Sequence, residues 1–176
     1  MTRREIFVGV SALLLALLAK VFEFVALPVR MRPDLLVVLA AAAGWLCDLW
    51  PASLSGFALG ILEDAFTGRA LGSRTVSLTV AACLSSLLKR FISPDSAISK
   101  VFAGVVCATA SDVAGLAALR AMGINVGFLY FTRSIWPATA VWCALLAVPA
   151  DFVVARMSRV LLALWPAEKR GREATA

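Results

Sequence analysis

Residues 76–88 and 101–111 contain no charged side chain, and similar apolar runs recur along almost the whole chain. A run of that kind, once long enough to cross about 30 Å of hydrocarbon, reads as a spanning helix. This feature excludes most soluble folds. Composition agrees: of 176 residues, 61% are hydrophobic and 16% charged, and the mean hydropathy is +0.90, which is far from a water-soluble domain. The predicted class is an all-α integral membrane protein, a bundle of six transmembrane helices in a single domain over residues 1–165, followed by a basic cytoplasmic tail at 166–176.

The spans are predicted near 6–27, 34–48, 51–67, 76–92, 98–120 and 134–157. The basic start before the first run resembles a signal peptide, but the run is too long for one and carries Lys20 and Glu23, so it is read as a retained helix. Lys20 and Glu23 lie one turn apart, which suits neutralisation of each other near a headgroup boundary; the competing reading turns them into the bundle towards a polar partner.

Six spans put both termini on one side. That side holds Arg3, Arg4, Lys89, Arg90, Lys100, Arg156, Arg159, Lys169, Arg170 and Arg172, against Arg30, Arg32, Arg69, Arg74, Arg120 and Arg133 opposite. Ten against six places both termini in the cytoplasm by the positive-inside rule. The net charge of +6 therefore reports topology and not nucleic acid, which would require a solvated basic face.

Polar residues gather at the ends of the second and third spans. Arg32, Pro33 and Asp34 form a helix start, since proline lacks a donor that the first turn leaves unused and Asp34 complements the positive end of the helix dipole. Gly56, Gly60 and Asp64 recur every fourth residue, which puts them on one helix face. The glycine pair is suited to close packing, within the bundle or against a partner's span. Asp64 is expected to contact an arginine such as Arg69 or Arg74, because an unpaired carboxylate at that depth is costly. Gly68 and Gly72 permit the tight linker that follows.

Deeper in the chain, Asp112 is read either as a functional acid or as a packed structural one, and Asp151 as lying within reach of Arg156. Trp45 and Trp50 bracket Asp48 as interfacial aromatics, and Pro149 is a candidate bend. The four cysteines lie in apolar runs and the chain has no histidine. No zinc constellation, nucleophile motif or nucleotide fingerprint is present, so neither catalysis nor a cofactor is predicted.

Arg32-Pro33-Asp34-Leu35-Leu36, then Gly56-Phe57-Ala58-Leu59-Gly60 leading to Asp64, then Gly68-Arg69-Ala70-Leu71-Gly72, resemble in order and spacing the bacterial rod shape-determining MreD family. The motifs cover about a quarter of the chain. The resemblance implies a non-enzymatic inner-membrane component of the cell-elongation machinery that binds MreC, with MreB, RodA and penicillin-binding protein 2 in the wider complex. It also implies an architecture similar to the S-components of energy-coupling-factor transporters. An S-component-like binder of a small molecule or lipid-linked precursor is the alternative function, discriminated by a polar cavity facing Asp112.

Overall fold

The computed structural model describes residues 3–26, 34–67, 72–92, 96–124 and 136–164. All regular structure among them is helical: α1 Arg3–Ala26, α2 Leu35–Leu46, α3 Leu49–Thr67, α4 Ser73–Leu88, α5 Ala97–Ala121 and α6 Trp136–Leu164. Arg32, Pro33, Gly68, Arg69 and the basic tail lie outside the described residues.

Local chemistry sets the boundaries. Asp34 caps α2 by accepting the Val37 N–H at 3.4 Å, and this satisfies one of the donors that a helix start leaves open. α4 begins three residues earlier than a purely apolar reading would place it, at Ser73 and not Val76, directly after Gly72, which sits in the left-handed region at φ +102°. A side chain there would be strained. At the far end of α5 the chain turns at Gly123, φ +79°, with the Ile124 N–H reaching back to the Leu119 carbonyl at 3.0 Å, a glycine-dependent helix stop. α6 continues through Pro149 and on to Leu164, beyond the end near residue 157 that the sequence predicts.

α4 is the hub. It packs on α3, α2 and α5, while α1 and α6 close the other side of α2. Both central helices are lined by small residues: an added Cβ at Gly44 of α2 would lie 2.3 Å from the Ala82 carbonyl oxygen of α4. Such spacing lets backbones approach closely enough for side-chain hydroxyls to reach across. Ser85 donates to the Ala41 carbonyl at 2.7 Å, and the Ser77 and Ser111 hydroxyls meet at 2.6 Å.

Polar groups are buried within an otherwise apolar core, and many large apolar side chains face outward. Ser11, Ser77, Ser86, Ser111, Asp64 and Asp112 are buried, whereas Leu18, Phe57, Val113, Leu145 and Phe152 are half or more exposed. Of the two tryptophans that bracket Asp48, Trp45 is buried in α2 and Trp50 is 70% exposed.

Among the described residues, one helix, Ala97–Ala121, is by itself long and apolar enough to cross a membrane; Leu35–Leu46 and Ser73–Leu88 are apolar but shorter. For these two the limit is length. Twelve residues in α2 and sixteen in α4 extend only about 18 and 24 Å at 1.5 Å per residue.

Candidate functional site

The polar side chains converge where α2 and α4 begin and α3 ends, here termed the Asp34 end. α3 runs towards it with Gly56 and Gly60 turned to α4: a Cβ on Gly60 would stand 2.3 Å from Thr75 Cα, and one on Gly56 would stand 2.7 Å from the Leu78 carbonyl oxygen. Any side chain would push the two helices apart. The predicted face therefore exists, and it is an internal one.

One turn beyond Gly60, Asp64 is 2% exposed. Its carboxylate accepts the backbone N–H groups of Gly72 at 2.8 Å, Arg74 at 3.3 Å and Thr75 at 3.2 Å, together with the Thr75 hydroxyl at 2.7 Å. Gly72 has no side chain with which to cap α4, so Asp64 performs that capping from the preceding helix. The predicted contact is corrected for Arg74, which Asp64 meets through its backbone; Arg69, the other arginine expected there, lies outside the described residues. Three orphan N–H groups at a helix start outcompete one guanidinium because they have no alternative partner in a buried site.

The Arg74 guanidinium instead bridges α2 and α3. It pairs with the Asp34 carboxylate and, at 3.2 Å, with Glu63. Lys20 of α1 reaches the same Glu63 oxygen at 3.5 Å. Lys20 thus meets a polar partner in the bundle, the competing reading of the sequence, since Glu63 is 4% exposed and a buried carboxylate needs positive charge nearby; the Glu23 side chain lies outside the described residues. Four helices are tied at one point.

Glu63 is the residue that sequence reasoning missed. A signal existed, because two adjacent carboxylates on a short apolar helix cannot both be accommodated without separate partners. Glu63 and Asp64 divide the work: one faces the cations and the other the helix start.

The opposite, Lys89 end is looser. Lys89 donates to the Cys47 carbonyl and lies 3.5 Å from an Asp48 carboxylate that is 75% exposed. The Asp48 N–H donates to Glu5 at 3.3 Å. Towards this end, Asp151 pairs with Lys100 of α5 rather than with Arg156 as predicted. Residues five apart on a helix are separated by about 140° of rotation, so Arg156, which is exposed, is on a different face.

Asp112 is buried at mid-length in α5 beside Ser111. It lines neither of two cavities formed by the helices. The first is a chamber of about 20 Å³ bounded by α2, α4, α5 and α6. The second is an apolar groove of about 540 Å³ between α1, α2 and α6, with Leu15, Val38, Leu39, Leu146 and Pro149 among its walls. All four cysteines are free thiols, three of them buried.

The geometry defines an all-helical bundle whose charged residues lock helices to one another. Compared with protein-family models, curated proteins and solved structures, the chain matches none.

Proposed function

We propose that this chain is a non-enzymatic scaffold of the bacterial inner membrane, crossing it six times with both termini in the cytoplasm. In this reading it is an MreD-like member of the cell-elongation complex that binds MreC and supports rod shape and lateral peptidoglycan synthesis. MreB, RodA and penicillin-binding protein 2 are its wider partners, and lipid is its solvent. The observation that supports the reading best is that Asp34, Gly56, Gly60, Asp64 and Gly72, all residues of the MreD-like motifs, meet in one interlocked unit with α4. The apolar exterior supports a lipid setting, and short or charged helices are accommodated where neighbouring helices cover them.

The scaffold reading also draws on how the acids are used. Asp64 has four donors on it, and Asp34 and Glu63 hold Arg74, so these groups are committed to helix packing. One observation favours the alternative, an S-component-like binder: the groove of about 540 Å³ falls in the size range of small-molecule sites. Its walls are apolar, which would suit a hydrocarbon portion of a precursor.

Co-expression with a tagged MreC-type partner, followed by detergent purification, tests the proposal. The native chain is expected to co-purify. Because Gly56 and Gly60 face α4, a Gly56→Leu, Gly60→Leu variant is expected to lose monodispersity together with its partner. A native chain that purifies folded but alone, or with a retained small molecule, contradicts the scaffold reading and supports the binder.

A further inference from the structure

The chamber between α2, α4, α5 and α6 is small, but it is not apolar throughout. Ala42, Ala103, Gly104 and Ala147 keep its walls thin, while Ser85, Lys100 and Asp151 supply polar atoms. The Asp151 side chain is only 10% exposed. One of its oxygens, Oδ2, takes the Lys100 ammonium. The other, Oδ1, is buried and accepts no hydrogen bond from the described residues.

A buried carboxylate oxygen without a donor is rare, because desolvation is then uncompensated. About 10–15 Å³ is enough to seat one water molecule, which in turn needs two to four polar partners. The chamber measures about 20 Å³. Its polar wall supplies a minimum set: Asp151 Oδ1 as an acceptor, the Lys100 ammonium as a donor with further N–H groups, and Ser85. The Ser85 hydroxyl gives its proton to the Ala41 carbonyl at 2.7 Å, which leaves its oxygen able to accept.

We propose that this chamber is an internal hydration site, in which one water molecule donates to Asp151 Oδ1 and bridges it to Ser85 or Lys100. A water is favoured over a metal cation because Lys100 already neutralises Asp151, and a second positive charge would face the ammonium at close range. A larger organic ligand does not fit the volume. The role of the site is to complete the hydrogen bonding of an ion pair that joins α5 to α6. The small residues around it are explained by the same role, since a larger side chain in any of them would expel the water.

Radiolytic hydroxyl-radical labelling of the full chain in detergent, with a bulk scavenger and mass-spectrometric readout, tests this directly. A bound water generates radicals where it sits, so Cys143, which lines the chamber yet is 2% exposed, is expected to label at several times the rate of Cys107, a thiol of equal intrinsic reactivity that is 0% exposed and lies outside the chamber lining. An Ala147→Leu variant fills the chamber and is expected to bring Cys143 down to the Cys107 level. Should that variant fail to fold, Lys100→Met with Asp151→Leu removes the polar wall while keeping bulk, and the same loss is expected. Labelling of Cys143 no faster than Cys107 in the native chain overturns the proposal, as does native-level labelling in either folded variant. Labelling that requires added sodium or potassium also overturns it, in favour of a cation site.

Discussion

The two ends of this bundle carry comparable numbers of charged groups and use them differently. At the Asp34 end, Lys20, Asp34, Glu63, Asp64 and Arg74 come from four helices and interlock with backbone donors. At the Lys89 end, Asp48 is largely in the open beside Lys89, and the Lys100–Asp151 pair stands apart from it. Burial decides the difference. A buried charge that loses its partner leaves an uncompensated ion, whereas an exposed pair is replaced by water with little change. The Asp34 end is therefore expected to fix the arrangement of α2, α3 and α4, and the exposed Asp48–Lys89 pair at the other end to tolerate substitution.

The contrast can be broken most severely at Gly60. A leucine there places Cβ against the α4 backbone, where no rotamer relieves the overlap, so Gly60→Leu is expected to destabilise by about 3 kcal/mol or more. Loss of a monodisperse peak in size-exclusion chromatography would register it. Next in size is Asp64→Leu, which strands buried N–H groups at the start of α4; a cost of about 3 kcal/mol follows from the penalty for unmet buried donors. Its companion Asp64→Asn retains one acceptor oxygen and is expected to recover part of the loss in a thermal melt.

Arg74→Met removes the cation shared by Asp34 and Glu63. Its side chain is 25% exposed, so the several kcal/mol known for breaking buried pairs is reduced by solvent to about 2 kcal/mol. Adding Glu63→Gln to Arg74→Met is expected to restore stability in part, and a double variant no better than the single one would mean that the two residues are not energetically coupled. The smallest effect belongs to the other end. Asp48→Ala is expected to change stability by less than about 0.5 kcal/mol, and a thermal shift matching that of Arg74→Met would erase the distinction between the two ends.

How far this arrangement was legible depended on the range of the interaction. Local signals read well: Asp34 at a helix start, the Gly56 and Gly60 face, and the glycine linker around Gly72 all follow from residues a few positions apart. Contacts made between distant helices did not. Asp64 was given an arginine side chain because charge pairing is the simplest remedy for a buried acid, and nothing in spacing reveals that α4 begins without a cap of its own. Asp151 was paired with a neighbour in sequence, but its partner lies 51 residues away, and the spacing of Lys20 could not reveal Glu63, 43 residues on. Hydropathy likewise gives apolar segments and not their length as helices, so α2 and α4 are shorter than the crossings expected of them.

The central claim is that the apolar exterior faces lipid, with the Asp34 end outside the cell and the Lys89 end inside. Single cysteines placed at Ala70 and at Ala167, in a chain whose native cysteines are changed to alanine, can be treated in intact cells with a membrane-impermeant maleimide. The account predicts labelling of Ala70→Cys before permeabilisation and of Ala167→Cys only after it. The reverse pattern, or equal labelling of both positions in intact cells, would contradict it.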